Sequence, residues 1–450
     1  MSGAEGAARS SLRADFVINL LGNIGYAAAQ WAMLLVLVRM GAPAMVGEYS
    51  LALAIGAPVV MFTNLRLAYL LASDAGRTRP YADYFSLRLV ANAVALVAIV
   101  GWATLGGYRG DTWMVIVLIG MAKIAEAFSD LAFGYLSMRL RFRAIAASLA
   151  VRGWGTVLLM VVLRLSNVSL VGIALAVAVW WWLVFWLLDL RLVLAARAGD
   201  EPAVAPPDGL MALLRAFRLD ASMRQLAWQA VPLGVVAVSL SLAASVPRLT
   251  IARELGADAV GYFSALAYVM VAGRMVAVAL GTPTLPRLGR FVAAGDRMAF
   301  VRTVAQVVLF GVLLGAAGVV GALLLGAPAL RLVYGRDYAV YAPVLTWLLV
   351  ASGLGYAATF LEDSLVAMRR LRAQGALLVV TLGVITVGCT MLIPRHGLMG
   401  AAWALVIGAI VEVLGAGALF LHAIRHWSHR ATADGVARET TTSISLSSAP

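Results

Sequence analysis

Runs of about twenty consecutive apolar residues recur along the whole chain, and they limit its possible folds more than any other feature. A helix needs about 20 apolar residues to cross the hydrocarbon core of a bilayer. The composition is 62% hydrophobic and only 13% charged, whereas a soluble domain is about 25% charged. The chain is therefore predicted to be an all-α membrane protein.

Reading the apolar runs between charged residues predicts twelve transmembrane helices in two groups of six. The first run is too long for the core of a signal peptide and lacks an obvious cleavage site, so we expect it to be retained. The first group is 16–38, 46–65, 85–106, 113–136, 144–163 and 169–188, and the second is 227–246, 260–281, 303–326, 342–361, 375–393 and 399–421.

The longest break between the runs divides the chain into two predicted lobes. This break contains Pro202, Pro206 and Pro207, and the C-terminal tail is rich in Ser, Thr and Ala, a composition typical of disorder. The predicted parts are a cytoplasmic N-terminus (1–15), an N-lobe of six helices (16–188), a cytoplasmic linker (189–226), a C-lobe of six helices (227–421) and a cytoplasmic tail (422–450).

Basic residues concentrate on one side of the predicted membrane. With the N-terminus inside, the inner segments and inner span ends hold 24 basic residues, the outer loops hold eight, and three lie deeper within spans. Such a bias marks the cytoplasmic side. It also accounts for the net charge of +13 without nucleic-acid binding. We expect a multi-pass protein of the bacterial inner membrane with both termini in the cytoplasm.

The number and spacing of cysteine and histidine residues, and the catalytic motifs that are missing, argue against several classes of protein. The lone cysteine, Cys389, allows no disulfide framework, and the four scattered histidines offer no zinc motif. The chain has no glycine-rich phosphate loop and no nucleophile elbow. Its outer loops are short for a membrane glycosyltransferase or an O-antigen ligase. We therefore expect no enzyme activity, no metal and no cofactor.

Two sequence echoes indicate that the halves are duplicated. The string GAPAMVGEYS at 41–50 opens the second span, and GADAVGYFS at 256–264 opens the eighth. The string LVGIA at 170–174 in span six is paralleled by LMGAA at 398–402 in span twelve. Because six is an even number, both halves would insert the same way up, which predicts a parallel pseudo-two-fold repeat.

This organisation resembles the multidrug/oligosaccharidyl-lipid/polysaccharide exporter superfamily. The strings FTNLRL (62–67), ASD (72–74) and SDLAFGY (129–135), with Arg139, Arg141, Phe142, Arg143 and the pair Pro247-Arg248, are similar to its polysaccharide transporter branch. The resemblance covers about residues 12 to 425.

The resemblance implies transport of an undecaprenyl-diphosphate-linked oligosaccharide from the inner to the outer leaflet by alternating access. Such a substrate feeds O-antigen, capsule or exopolysaccharide biosynthesis. The lipid bilayer and the lipid-linked oligosaccharide are the expected partners, and the polysaccharide polymerase and export machinery would be further ones.

Charged residues inside the spans form the candidate site. A charge at the bilayer centre costs about 2.5–3.5 kcal/mol on insertion scales, so each one needs a reason. Most lie in the cytoplasmic half, where a substrate made in the cytoplasm would enter. Guanidinium groups bind phosphate oxygens in a bidentate way. The candidate diphosphate-binding cations are Arg66, Arg88, Lys123, Arg152 and Arg274.

The acids of span four have two open interpretations. Glu126 and Asp130 lie within about 60° of Lys123 around the helix, so they either orient the cations or titrate during proton or sodium coupling. Alternatively, the charges form internal ion pairs, for example Arg152 with Glu126 or Asp130, and only stabilise the N-lobe. The cleft interpretation predicts that Arg152→Ala or Arg274→Ala abolishes export without impairing insertion.

A cation-coupled multidrug antiporter of the same superfamily is the alternative function. Proton-coupled members of that branch typically place an acid in the first helix. Here the first span contains Asn19, Asn23 and Gln30 but no carboxylate. An organic cation would also favour an acidic cleft, whereas this one is predicted to be basic. The lipid II flippase branch is also similar, but it typically has two more spans.

Overall fold

The computed structural model describes residues 2–73, 79–197, 206, 210–215, 217 and 220–427, and within these ranges it contains helices and no strand. Parts of the predicted linker and tail, including Pro202, Pro207 and residues 428–450, lie outside the described residues. The α-helices are α1 Ser2–Met40, α2 Pro43–Asn64, α3 Leu67–Ser73, α4 Tyr81–Leu105, α5 Gly110–Met138, α6 Phe142–Leu165, α7 Leu170–Val184, α8 Leu190–Ala196, α9 Leu210–Arg215, α10 Ala221–Leu255, α11 Ala257–Ala293, α12 Arg297–Val333, α13 Ala342–Ala367 and α14 Leu371–Arg425.

These helices are long and apolar enough for a multi-pass membrane protein. Ten segments of the described chain meet the length and hydropathy needed to cross a bilayer. The predicted fourth span forms α5, a further helix of 29 residues. The last of the ten runs from Arg372 to Arg425, and its 54 residues would measure about 80 Å, more than twice the thickness of a bilayer core. The predicted all-α membrane fold is confirmed.

The long α14 is broken at Gly397, between the predicted spans eleven and twelve. Gly397 has φ 58° and ψ −138°, a backbone conformation that residues with a Cβ avoid and glycine tolerates. The carbonyl of Leu392 lies so near Gly400 that an added Cβ would be 2.2 Å from its oxygen. The chain therefore reverses tightly, and α14 supplies two antiparallel segments.

The predicted sixth span continues further than its sequence suggests. Helix α7 passes into a π-helical turn, Phe185–Asp189, and then directly into α8, which ends at Ala196. The prediction ended this span at residue 188, because Asp189 and Arg191 interrupt the apolar run. A π-turn inserts one extra residue into a helix and is frequent at functional sites. Here it places Asp189 at 0% exposure inside the helix bundle.

The described chain divides into two compact units. The first unit extends to Ala265 and includes Val333–Gly335, and the second contains Leu266–Leu332 and the chain from Arg336 onward. Residues 227–265, which the sequence assigns to the C-lobe, thus pack in the first unit, where α10 lies against α2 and α4. Val333–Gly335 joins α1 through Arg39 Nε, which donates to the Val333 carbonyl at 2.6 Å. The predicted lobe boundaries remain a prediction.

The two copies of the duplicated turn sequence touch each other within the first unit. A Cβ added to Gly47 of α2 would lie 1.8 Å from the Ala257 carbonyl oxygen, and one added to Gly261 of α11 would lie 2.2 Å from the Pro43 carbonyl oxygen. The contact is reciprocal: Gly47 meets the residue four positions before Gly261, and Gly261 meets the residue four positions before Gly47. This reciprocal contact is what a pseudo-two-fold axis between the repeats would produce.

Candidate functional site

Helix α5 carries three of the predicted site residues, and they remain on one face of it. Lys123 Nζ lies 2.5 Å from Glu126 Oε2, and the two side chains are 19% and 17% exposed. The other oxygen of Glu126 accepts a hydrogen bond from the Tyr26 hydroxyl of α1 at 2.6 Å. The Lys123 ammonium also lies 5.8 Å from the centre of the Trp181 ring. This pair is the accessible part of the site.

Asp130 reaches Arg88 through an amide bridge. Arg88 Nη1 donates to Asn64 Oδ1, and Asn64 Nδ2 donates to Asp130 Oδ2 at 3.3 Å. Arg88 is 1% exposed, and Asn92, one turn further along α4, is 3% exposed. Among the described residues, Arg88 Nε and both amide atoms of Asn92 are buried without a hydrogen-bond partner. This cluster therefore retains unused hydrogen-bonding capacity.

Arg152 pairs with a residue that the sequence prediction did not include. Its Nη2 lies 2.7 Å from Asp189 Oδ2, and the two side chains are 1% and 0% exposed. Ser148 also donates a hydrogen bond to Asp189. The guanidinium lies 5.5 Å from the Phe133 ring centre and 5.8 Å from that of Trp181. The suggested direct pairing of Arg152 with Glu126 or Asp130 is therefore replaced by a sealed pair with Asp189.

The charges of this buried cluster balance one another. Asp130 lies within electrostatic range of Glu126 and of the three cations. Asp189 adds a third carboxylate to the two that the sequence identified. Three cations, Arg88, Lys123 and Arg152, therefore accompany three acids, Glu126, Asp130 and Asp189. With all six groups ionised the cluster is neutral, whereas the sequence predicted a basic one.

The remaining two predicted cations lie elsewhere. Arg66 is exposed in the turn between α2 and α3, where Leu65 and Arg66 have φ values of 50° and 48°. Arg274 is exposed on the part of α11 that belongs to the second unit, and it interacts electrostatically with Glu412. The structure thus brings Arg88, Lys123, Arg152, Glu126 and Asp130 together in the first unit and places neither Arg66 nor Arg274 in that cluster.

The second unit contains a pair of acids. The carboxyl groups of Glu362 in α13 and Glu412 in α14 are near enough to interact electrostatically. Gln374 Nε2 donates to Glu362 Oε2 at 3.4 Å. Among the described residues, no set of three His, Cys, Asp or Glu side chains is placed to hold a metal ion.

Four residues of the site were missed by sequence reasoning. Tyr26 and Asn92 carry no charge, and Asn64 was noted only as part of a family-like string. Asp189 stood one residue beyond a predicted span. The apolar residues that follow it, Leu190 and 192–195, were a usable signal that the helix continues.

The chain was compared with known proteins. No protein-family profile matches it. It is 23% identical over 402 residues to the capsular polysaccharide biosynthesis protein CapF of Staphylococcus aureus, a match that covers 89% of this chain and 97% of that protein.

Two solved structures share the fold over nearly the whole chain. A multidrug resistance MATE family transporter of the MOP superfamily, in an inward-facing conformation, superimposes with a TM-score of 0.74 at 13% identity, covering 90% of this chain and 96% of that one. The lipid II flippase MurJ, in an inward closed conformation, superimposes with a TM-score of 0.70 at 10% identity, covering 92% and 91%. The chain is therefore a multi-pass membrane protein with the fold of the multidrug/oligosaccharidyl-lipid/polysaccharide exporter superfamily.

Proposed function

We propose that this protein moves a lipid-linked oligosaccharide with a diphosphate head group from the inner to the outer leaflet of the bacterial cytoplasmic membrane. The product would enter O-antigen, capsule or exopolysaccharide biosynthesis. The observation that carries this proposal is the end-to-end similarity to CapF, a protein of capsular polysaccharide biosynthesis. The shared fold with the lipid II flippase MurJ supports a lipid-linked substrate.

The accessible ion pair is the part of the site best suited to a diphosphate. Lys123 and Glu126 are partly exposed at membrane depth, and they are neighbours on one helix. An ammonium held by an exchangeable carboxylate can transfer to a phosphate oxygen when the substrate enters. The arginines 88 and 152, at 1% exposure, instead support the electrostatic environment from within the bundle.

The transport cycle would be alternating access between an N-lobe (16–188) and a C-lobe (227–421), with both termini in the cytoplasm. The polar head would traverse the protein while the lipid tail stays in the bilayer. The excess of arginine in the predicted inner loops supports this orientation. The polysaccharide polymerase and export machinery would act on the flipped product.

A cation-coupled multidrug antiporter is the second candidate function, because the MATE neighbours share the fold equally well. The carboxyl pair of Glu362 and Glu412 in the second unit favours it, since acids suit an organic cation or a coupling proton. Against it, no Asp or Glu occurs between Val17 and Met40 of α1.

A reconstituted transport assay separates the two functions. The purified protein in proteoliposomes is expected to move a fluorescent undecaprenyl-diphosphate saccharide between leaflets, and dithionite quenching of the outer leaflet follows the movement. Lys123→Ala is expected to slow it strongly, and Lys123→Arg is expected to retain more activity. Movement of ethidium across the membrane without movement of the lipid would instead establish the antiporter.

A further inference from the structure

One face of α1 carries a line of uncharged hydrogen-bonding side chains. Asn19, Asn23, Tyr26 and Gln30 recur at intervals of four, three and four residues. At 100° per residue they lie within about 60° of one another, so they form a single stripe. The stripe extends for about 16 Å at 1.5 Å per residue. It covers the cytoplasmic half of the predicted first span, and we call it the amide stripe.

The amide stripe faces away from the apolar exposed side of α1. Val17, Leu21 and Ile24 are exposed large apolar residues, and they share a face centred about 150° around the helix from the stripe. An exposed apolar face is the one that suits lipid. Asn23 is also exposed, yet an amide facing hydrocarbon is unfavourable because lipid offers it no hydrogen bonds. The exposed amide of Asn23 therefore suits a polar environment better than lipid.

A third face of α1 is occupied by α6. A Cβ on Gly22 would lie 2.8 Å from Ala146 Cβ, and one on Gly153 of α6 would lie 2.8 Å from Ala29 Cβ. These close approaches fix the rotation of α1 about its own axis. With one face packed on α6 and another exposing apolar side chains, the stripe occupies the remaining side, and its orientation is determined by packing.

The stripe is pre-organised and contacts the accessible ion pair through Tyr26. Asn23 Nδ2 donates to the Asn19 carbonyl at 2.8 Å, and Gln30 interacts with the Tyr26 hydroxyl. That hydroxyl in turn donates to Glu126 at 2.6 Å, beside Lys123. A row of uncharged hydrogen-bonding side chains is thus connected, through Tyr26 and Glu126, to the Lys123 ammonium.

We propose that the amide stripe binds the saccharide of the substrate while Lys123 binds its diphosphate. An amide has both donors and acceptors and no charge, which matches the hydroxyl groups of a sugar better than it matches a phosphate, a cation or a lipid tail. About 16 Å is long enough for more than one sugar ring. This inference rests on the proposed function and assigns the recognition of the glycan to residues that carry no charge.

The test compares two ligands that differ only in the sugar. The full-length protein in nanodiscs is titrated with undecaprenyl diphosphate and with undecaprenyl diphosphate carrying N-acetylglucosamine or galactose. Asn23→Ala and Gln30→Ala are each expected to weaken binding of the sugar-bearing lipids about fivefold, the effect of one lost hydrogen bond. Their affinity for the bare diphosphate lipid is expected to stay within about twofold of wild type.

Matched variants control for indirect effects. Leu21→Ala and Ile24→Ala alter the opposite face of the same turns and are expected to leave both affinities unchanged. Asn23→Gln keeps the amide and is expected to recover part of the lost affinity. Lys123→Ala is expected to weaken both classes of lipid by the same factor.

The outcomes distinguish this inference from the proposed function. Equal weakening of bare and sugar-bearing lipids in Asn23→Ala would show that the amide acts only through the fold, and unchanged affinity in both alanine variants would show no contact. Either result overturns the stripe, as does a wild type that binds all of these lipids equally. A wild type that binds none of them contradicts the proposed function itself.

Discussion

Two ion pairs of the first unit have similar lengths but different accessibility. Arg152 and Asp189 meet at 2.7 Å with side chains 1% and 0% exposed, whereas Lys123 and Glu126 meet at 2.5 Å with side chains 19% and 17% exposed. Removing one partner of a sealed pair leaves a buried charge without compensation. An accessible pair loses little when it opens, because water or another ion replaces the partner. The same kind of ion pair is therefore fully enclosed at one point and partly exposed at the other.

The difference arises from how each pair is constructed. Arg152 and Asp189 come from α6 and from the π-turn after α7, so the pair forms only when these elements dock. Phe133 and Trp181 then cover the guanidinium. Lys123 and Glu126 are three residues apart on α5, so their contact needs no docking. Structural pairing and substrate binding, which the sequence left as competing interpretations, can therefore belong to different residues: the sealed pair suits the first role, and we propose Lys123 for the second.

Breaking the sealed pair is expected to have the largest effect. Asp189→Ala leaves Arg152 buried and unpaired, which should lower the free energy of unfolding by about 3–5 kcal/mol. The melting temperature and the yield of folded protein in detergent measure this loss. The same reasoning replaces the earlier expectation for Arg152→Ala: it should impair folding as well as export.

A double substitution sharpens that test. Replacing both partners with apolar residues, as in Arg152→Met with Asp189→Leu, is expected to restore most of the stability, since no isolated charge remains. If the double variant is as unstable as Asp189→Ala, packing around the pair, and not its charge, determines the stability.

Breaking the accessible pair is expected to affect transport far more than stability. Lys123→Ala should lower the free energy of unfolding by less than Asp189→Ala does, because this pair is partly exposed and the Tyr26 hydroxyl still donates to Glu126. It should slow the movement of the lipid-linked saccharide about tenfold or more, the effect of one lost charge-assisted hydrogen bond. Glu126→Gln serves as the matched control, because it keeps the shape of the acceptor and releases Lys123. Normal transport by Lys123→Ala would contradict the proposed role of Lys123 in binding the substrate.

Breaking the amide bridge from Arg88 through Asn64 to Asp130 is expected to have an effect on stability between those of the two ion pairs. Asn64→Leu removes the contact between Arg88 and Asp130, and it is expected to lower the free energy of unfolding by about 1–3 kcal/mol. Asn64→Asp would instead introduce a fourth acid beside Arg88. A melting temperature for Asn64→Leu equal to that of wild type would show that Arg88 finds other partners.

Salt is expected to produce the smallest effect and to act on one pair only. Raising the ionic strength shortens the screening length from about 10 Å at 0.1 M to about 3 Å at 1 M. Binding of undecaprenyl diphosphate at the accessible pair should therefore weaken a few-fold over that range. The stability difference between wild type and Asp189→Ala should stay constant, because solvent ions do not reach the sealed pair.

The sequence predicted what lies along each helix better than what lies between helices. The hydropathy runs located the membrane helices, and the helical period placed Lys123, Glu126 and Asp130 on one face. The predicted partner of Arg152 was wrong because contacts between helices depend on how the helices slide and rotate when they dock. The apolar runs do not encode this docking. Asn64 and Tyr26 were missed for a related reason: an uncharged side chain in a span gives no signal until its neighbour is known.

The close contact at Gly47 and Gly261 limits which substitutions the chain can accept during evolution. Each glycine faces the main chain of the other copy, at positions where an added Cβ would lie 1.8 Å and 2.2 Å from a carbonyl oxygen. A side chain gained at one position has no side chain opposite that could shrink to compensate. A substitution at either glycine would therefore clash with the main chain of the other copy. We expect both glycines to be retained while the sequences around them diverge.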